Sequence, residues 1–482
     1  MPLRMPRAAR FAPPAFRFLR YGLGLRGKNK NMASAVEQFT SNLNLGAFSK
    51  AQELKQRLWF MLIALLIYRV GTHIPLPGID PTAWTDIFSS KSGGVLDMFN
   101  MFSGGALERM SILALNIMPY ISASIIMQIM TSMNPAMEAM KKEGEAGRKR
   151  LNQYTRYGTV ILAAIQAYGL AVGLENLASS TGGSAVINPG MFFRITTIIT
   201  VVGGTVFLMW LGEQISQRGV GNGISLIIFC GIVAGIPKAI AKVLELGRTG
   251  DMTAIGIILI AVMVAVVLTF IVFMERAQRR VVVQYPKRMV GGNRMSGGET
   301  SHMPLKLNTA GVIPAIFASS LLLMPLSIVQ FTGISGSGVE WIDTVSRYLA
   351  HGQPAYMALY GGLIVFFAFF YTAIVFNPDE TADNLRKSNG FIPGIRPGAA
   401  TAEYLDKILT RITVIGAAYL TFVCLLPEIL ISQYSLPFAL GGTSLLIAVT
   451  VPMDTVAQIH SHLIAHQYEG LIKKSKLRGS RK

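Results

Sequence analysis

The chain has 482 residues, of which 51% are hydrophobic and only 14% charged, and its formal net charge is +19. Such a basic excess is common in nucleic-acid-binding proteins, but here the positive charges sit in particular loops between long apolar segments, which argues against that class. The two cysteines, Cys230 and Cys424, fall inside apolar segments, so neither a disulfide framework nor a metal-binding cysteine cluster is expected.

The first 31 residues contain eight Arg or Lys and no acid, and they include no apolar run long enough for a signal peptide. Residues 22–29 come close to the phosphate-binding pattern GxxxxGK[ST], but Asn29 replaces the required hydroxyl and no strand precedes it. We expect residues 1–31 to be a basic extension without a structural role. The favoured interpretation is an over-long start before Met32, and the alternative is a mitochondrial or chloroplast transit peptide.

Ten apolar segments are long enough, or nearly so, to cross a bilayer as helices, which takes about 20 apolar residues. The first is interrupted by Arg69, whose long side chain can reach the membrane surface from near a helix end. These segments predict an all-α integral membrane protein with ten transmembrane helices. They lie near residues 58–74, 112–133, 157–174, 192–211, 220–237, 254–274, 310–331, 355–376, 412–431 and 438–457.

Loops rich and poor in Lys and Arg alternate along this series. The loops on one side hold 28 of these residues, and those on the other side hold 6. Because cytoplasmic loops are enriched in Lys and Arg, both termini are predicted to be cytoplasmic, which agrees with an even number of crossings. Five spans in each half then have opposite orientations, which predicts two inverted five-helix halves.

The second apolar region is broken rather than continuous. Residues 95–107 are too short to cross the membrane and are ended by Gly104 and Gly105, whereas residues 112–133 are long enough. Non-helical backbone at membrane depth is tolerated only where it lines a cavity or is buried in protein. The break therefore predicts a pore, and we expect the two glycines, exposed to water, to let the short helix swing aside.

Two of the basic loops are long. Residues 275–306 combine a β-prone run at 280–285 with a glycine-rich stretch and resemble a hairpin. Residues 377–411 carry Arg396 within PGIRPG, where proline and glycine on both sides fix a projecting arginine, as a rigid docking contact requires. From the residues alone, a solvated loop charge remains the alternative for Arg396.

No catalytic motif is found. The chain lacks HExxH, GxSxG and a complete phosphate loop, and its few carboxylates lie in loops or at helix ends. His462 and His466 have metal-ligand spacing without a carboxylate or cysteine partner, so we expect no metal, no cofactor and no enzymatic activity. A secondary transporter or ion channel with inverted repeats stays open; such proteins place ionisable residues inside the bilayer, where Asp454 is the notable acid here.

Long motifs in this chain are shared with a known family. FNMFSGGAL and NIMPYISASIIMQ, in residues 99–128, resemble the plug and second helix of the SecY family of protein-conducting channels. Further matches follow in the family's order and spacing: GEQISQRGVGNGIS, HMPLKLNTAGVIPAIFASS, YTAIVFNPDETADNLRKSNGFIPGIRPG and GGTSLLI. The resemblance covers about residues 33–482 and implies a clamshell of two halves with a channel between them.

The resemblance implies roles for particular residues. It makes residues 95–107 a plug, whose family motif is Met98, Phe99, Asn100, Met101, Phe102, Ser103, Gly104 and Gly105. It places six isoleucines in a pore ring: Ile117, Ile121, Ile224, Ile228, Ile316 and Ile447. Without the resemblance, isoleucine pairs at helical spacing more often indicate packing or lipid-facing positions.

The resemblance also implies a lateral gate between the second and third and the seventh and eighth spans. Ser122, Gln128 and Asn308 are expected to hydrogen-bond across this seam, with ordinary intrahelical or water-mediated bonds as the alternative. Docking of a motor ATPase and the ribosome is expected at Arg396, with Lys287 and Arg288 in the other long loop.

Residues and resemblance together predict the central pore subunit of a translocase in a bacterial inner membrane, passing unfolded polypeptides and inserting transmembrane helices into the lipid bilayer. The expected organisation is a half at 32–250, a half at 251–461 and a basic cytoplasmic tail at 462–482. The resemblance implies SecE and SecG in a heterotrimer, the SecA ATPase, the ribosome and signal sequences as partners, and further SecDF and a YidC-type insertase.

Overall fold

The structure is a computed structural model. It describes residues 52–90, 95–176, 185–249, 253–286, 288–290, 294–296, 300–332, 348, 352–434 and 441–479. The basic extension at 1–31 lies outside the described residues. The chain forms two compact units, Met1–Gln56 with Ser461–Lys482 and Arg57–His460. In the first unit, the described residues 52–56 and 461–479 are helical.

Helices dominate the described part of the chain, because long stretches of Ile, Leu, Val, Met and Ala can satisfy their backbone groups internally only as helices when water is excluded. In the first half they are α1 (Gln52–Gly71), α2 (Pro81–Ser90), α3 (Val95–Ser103), α4 (Met118–Met133), α5 (Pro135–Lys142), α6 (Glu145–Asn176), α7 (Met191–Arg218) and α8 (Gly223–Thr249). In the second half they are α9 (Ala254–Arg276), α10 (Ile313–Thr332), α11 (Pro354–Val375), α12 (Pro378–Lys387), α13 (Ala399–Tyr434) and α14 (Gly442–Gly479).

Seven helices of the described part are long and apolar enough to cross a membrane. They coincide with the predicted third to sixth and eighth to tenth spans. The other three predicted spans are helical too, as α1, α4 and α10. The predicted helix at 112–133 is shorter than expected because Pro119 lies in the first turn of α4, where proline starts a helix, and residues 112–117 form turns instead.

The predicted hairpin between α9 and α10 is confirmed. Strands β1 (Gln278–Gln284) and β4 (Thr300–Lys306) pair antiparallel, and β2 (Arg288–Val290) pairs with β3 (Arg294–Ser296). Two apolar cores support the second unit. The large core collects side chains from all of the helices except α5 and α12, and the small core lies among the hairpin, α13 and the segment before α13.

Candidate functional site

The short helix α3 ends at the predicted glycine pair. Gly104 and Gly105 have φ of +67° and +84°, and their amides donate to the carbonyls of Met101 at 3.2 Å and Asn100 at 2.9 Å. This is a Schellman motif, in which a glycine with left-handed backbone closes a helix. The expectation that both glycines are exposed to water is wrong for Gly104, which is buried because it packs against the backbone of Gly231 in α8.

Apolar packing surrounds α3. Phe99 and Phe102 are 3% and 2% exposed, and the helix packs against α8 and α10. Just after the helix, the carbonyl of Leu107 accepts a hydrogen bond from the indole of Trp84 in α2 at 3.0 Å. Of the other predicted plug residues, Ser103 is buried, Asn100, Met101 and Gly105 are half-buried, and only the backbone of Met98 is described.

The six predicted ring isoleucines all belong to the large apolar core. Four are buried in it and two are half-buried against it: Ile117, Ile121, Ile228 and Ile447, and Ile224 and Ile316, respectively. Ile117 precedes α4 as its N-cap instead of lying within the helix, but its carbonyl accepts the amide of Ile121 at 3.0 Å. These residues, which lie in or just before α4 and in α8, α10 and α14, therefore belong to one extended apolar core, so both halves of the chain contribute to it.

A polar cavity of about 620 Å³ adjoins this cluster at Ile224. Its walls include an ion pair between Arg156 of α6 and Glu213 of α7, together with Tyr120, Asn152, Ser216, Gln217, Gly221, Asn222 and Gln458. The cavity therefore places a polar surface directly beside the apolar core.

Where the lateral gate is predicted, α10 packs against α4 and α6. Ser122 on α4 is buried. The amide nitrogen of Gln128 donates to Ser124 of the same helix at 3.4 Å, and Asn308 donates to Glu275 of α9 at 2.6 Å. These bonds of Gln128 and Asn308 are not the cross-seam bonds that were predicted, since both partners lie in the residue's own half.

Glu275 is a buried polar residue that the sequence did not reveal. It is 8% exposed, and besides Asn308 its Oε1 lies 3.5 Å from the hydroxyl of Tyr419 in α13. Asn308 also donates to the carbonyl of Gly311 at 3.0 Å. Because a buried carboxyl needs hydrogen-bond partners, this cluster fixes the segment leading into α10 against α9 and α13. An acid at a helix end is usually solvated, so nothing local marks Glu275 as buried.

The two long loops join into one structure, here called the platform, which comprises β1, β4, α12 and residues 388–412. Gln284 and Phe391 exchange two backbone hydrogen bonds, at 2.8 and 2.9 Å. The small apolar core under this junction consists of Val281, Leu305, Ile392, Leu405, Ile408 and Ile412. A loop with its own core presents its surface residues in a defined position.

Arg396 is exposed on the platform. Its turn lies between Gly394 and Gly398, whose φ values are +84° and +107°, and its carbonyl accepts from the hydroxyl of Thr401 at 2.9 Å. The backbone is therefore held while the side chain projects, as the PGIRPG pattern predicts. Lys287 lies outside the described residues, and only the backbone of Arg288 is described.

Asp454 does not resemble a transporter's ion site. Its side chain is 58% exposed, and it lies 3.5 Å from the Nζ of Lys306. Ionisable residues that serve transport are generally enclosed within the membrane interior. Among the residues that the structure describes, no group of three or more His, Cys, Asp or Glu side chains is arranged to hold a metal ion.

Comparisons with known proteins agree with one another. The SecY family model matches residues 111–456. The protein translocase subunit SecY of Escherichia coli K12 is 54% identical over 427 residues, covering 89% of this chain and 96% of the relative. That of Vibrio cholerae is 54% identical over 435 residues, covering 90% and 97%.

Solved structures show the same fold. One described as "The structure of a protein conducting channel" has a TM-score of 0.62 at 17% identity and covers 84% of this chain and 92% of its own. A second, on the plug domain of the SecY protein, has a TM-score of 0.59 at 19% identity with the same coverage. With a family-model match over most of its length and relatives 54% identical over nearly their whole length, the chain belongs to the SecY family.

Proposed function

We propose that this chain is the central pore subunit of a SecYEG-type translocase, which passes unfolded secretory polypeptides across the membrane and releases transmembrane helices sideways into lipid. The observation that supports this most is that the six isoleucines, from both halves of the chain, belong to one apolar core, which adjoins a polar cavity at Ile224 and includes side chains of the closely packed short helix α3. No specific observation favours a secondary transporter, since Asp454 is exposed.

The isoleucine cluster acts as the constriction of the pore. Branched apolar side chains around a narrow waist repel water and thereby ions, because they offer no hydrogen bonds to compensate for dehydration. The same side chains make no directional bonds with each other, so they can separate around polypeptides of different shape. The ring is therefore both a seal and a conduit.

Sideways release requires that one helix contact between the halves opens. The packing of α10 against α4 and α6 is the candidate, with Ser122 and Gln128 on α4 near this seam. Asn308 contributes differently from the prediction, because its bond to Glu275 ties the start of α10 to its own half. In this arrangement α10 moves with α9 and α13 when the seam opens.

Energy for transport comes from partners. The platform offers a rigid surface with Arg396 exposed, which suits docking of the SecA ATPase and of the ribosome, with Lys287 and Arg288 in the neighbouring hairpin. SecE and SecG complete the heterotrimer, and SecDF and a YidC-type insertase are further partners. The complex lies in the bacterial inner membrane, with both termini and the platform in the cytoplasm, as the loop charges predict.

Reconstitution tests the function as a whole. The full chain, assembled with SecE and SecG in vesicles, should protect an added proprotein from external protease when SecA and ATP are present. Vesicles lacking this chain are the control. If the proprotein stays accessible to protease although the three subunits have assembled, the proposed function is wrong.

The docking role has a separate test. Arg396→Glu should abolish most SecA-driven transport, because the reversed charge opposes docking while an exposed turn residue contributes little to folding. Arg386→Glu is the matched control, since Arg386 is exposed in the same loop and the change in net charge is identical. Transport at the parental rate by Arg396→Glu would remove the docking assignment without affecting the pore assignment.

A further inference from the structure

Three successive carbonyls at the end of α3 accept hydrogen bonds from side chains. The Schellman motif satisfies the carbonyls of residues 100 and 101, but the next carbonyls of a helix end have no backbone partner. The carbonyl of Phe102 accepts from the amide of Asn116, that of Ser103 accepts from the hydroxyl of Tyr68 at 3.2 Å, and that of Gly104 accepts from Nη1 of Arg69 at 2.6 Å.

The three donors, here called the latch, come from two separate elements. Tyr68 and Arg69 are neighbours in the last turn of α1, and Asn116 lies in the turn before α4. Tyr68 and Asn116 are 0% and 2% exposed, so water does not compete for their bonds. Asn116 has a φ of +49°, a left-handed conformation that asparagine tolerates better than most residues.

The latch acts where α3 and α8 touch backbone to backbone. A Cβ on Gly104 would lie 2.8 Å from the Cα of Gly231, and a Cβ on Gly231 would lie 3.0 Å from the carbonyl oxygen of Phe102 and 3.2 Å from the hydroxyl of Tyr68. The end of α3 thus packs closely against Gly231 and is held by directional donors, of which the Tyr68 hydroxyl lies next to the glycine contact. Displacing α3 must break the three bonds together.

We propose that Arg69, with Tyr68 and Asn116, is a positioning group that holds the short helix α3 in its closed place, and that losing its bonds releases the helix. Arg69 carries the largest share, since hydrogen bonds from charged donors are stronger than neutral ones. The inference rests on the proposed function, in which α3 is the plug. It also gives the arginine inside the first apolar segment a definite partner, the carbonyl of Gly104.

The test measures the exposure of α3 directly. In a chain with Cys230→Ala and Cys424→Ala, which removes both native thiols, Phe99→Cys introduces a probe at a position that is 3% exposed. The chain is assembled with SecE and SecG in vesicles, and a membrane-impermeant maleimide is added on both sides. The labelling rate reports how often α3 leaves its place, and it needs no transport.

Arg69→Met keeps an unbranched side chain but removes every donor, and it should raise the labelling rate about tenfold. Arg69→Lys retains a cationic donor and should restore most of the slow labelling. Lys242→Met is the matched control, because Lys242 is an exposed cation on α8 and its loss should leave the rate unchanged. Resting ion conductance should rise with the labelling rate.

If an assembled Arg69→Met chain labels at the same rate as the chain with Arg69, the inference is wrong. If that variant does not accumulate, Tyr68→Phe decides, since it removes one hydroxyl and keeps the buried ring; it should label about fivefold faster, and an unchanged rate contradicts the latch. A parental chain that labels slowly yet transports no proprotein refutes the proposed function while leaving the latch intact.

Discussion

The plug helix and the isoleucine ring contribute to the same apolar core, but different forces hold them. The ring side chains have no hydrogen-bonding groups, so packing alone holds them: Ile447 and Ile117 are 0% and 1% exposed in the apolar core. The end of α3 is held in addition by hydrogen bonds to three of its carbonyls and by a glycine contact with α8. One part of the seal is non-directional and the other is directional.

This difference indicates how each part opens. Packing weakens gradually as side chains separate, so a ring of isoleucines can widen by small steps around a polypeptide. Hydrogen bonds at a helix end are lost over a few tenths of an ångström, so α3 has a closed position and a released one with little between. We therefore propose that a graded constriction and a two-state plug together seal the channel.

The largest effect should come from breaking both parts. Deleting residues 95–103 should cause modest ion leakage because the ring remains, and adding Ile447→Asn should increase the conductance of reconstituted bilayers about tenfold, since an amide at the waist binds water. The deletion with Ile447→Val serves as control, because valine keeps the waist apolar. Equal conductance of the two double variants would show that Ile447 does not line the constriction.

Ile447→Asn alone should have the next largest effect. A polar ring opens more easily, so less of a signal sequence's binding energy is needed to shift the closed-to-open equilibrium. Export of a proprotein with a defective signal should rise several-fold, measured by protease protection in vesicles. If such proteins remain excluded and conductance is unchanged, the ring assignment fails although the family assignment stands.

Gly104→Ala should have a smaller effect, limited to the plug. The added Cβ would lie 2.8 Å from the Cα of Gly231, and the φ of +67° costs about 1–2 kcal/mol for a residue with a Cβ. Maleimide labelling at Phe99→Cys should accelerate severalfold. In a chain that lacks α3, Gly104→Ala should leave the stringency for signal sequences unchanged. Gly203→Ala in α7 is the control, since a Cβ there has no atom within 4 Å.

Asp454→Asn should have the smallest effect, because this carboxylate belongs to neither part of the seal. Its pair with Lys306 joins two exposed side chains at 3.5 Å, an arrangement that contributes little to stability. Thermal unfolding, conductance and proprotein transport should all match the parental chain. A loss of proprotein transport with normal assembly would contradict this expectation and show that the Asp454 carboxylate takes part in transport.

Local sequence patterns predicted much of this architecture. Seven of the ten apolar segments form helices long enough to cross a membrane, and the other three are helical. The glycine pair at 104 and 105 ends α3, as predicted. The β-prone run at 280–285 predicted the hairpin in residues 275–306. The start of α4 was predicted wrongly at residue 112, although Pro119 marks the true start of the helix. These features depend on periodicity and backbone preference within a few residues.

The resemblance, rather than the pattern, selected the ring isoleucines, since paired isoleucines at helical spacing are common in any apolar helix. The structure then brought residues more than 300 positions apart, such as Ile117 and Ile447, into one cluster. It also showed that Asn308 donates a hydrogen bond to Glu275 instead of bonding across the predicted gate. No local signal marks Glu275 as buried.

The sequence by itself determined the apolar spans, the loop charges, the glycine pair that ends α3 and the projecting turn at Arg396, because each follows from neighbouring residues. Only the tertiary structure decided which side chains meet the plug. Tyr68 and Arg69 lie 35 residues before the carbonyls they bind, and Arg69 looked like an interruption of an apolar segment. Its proposed role depends on hydrogen bonds between the end of α1 and the end of α3, which are long-range contacts that periodicity and backbone preference do not encode.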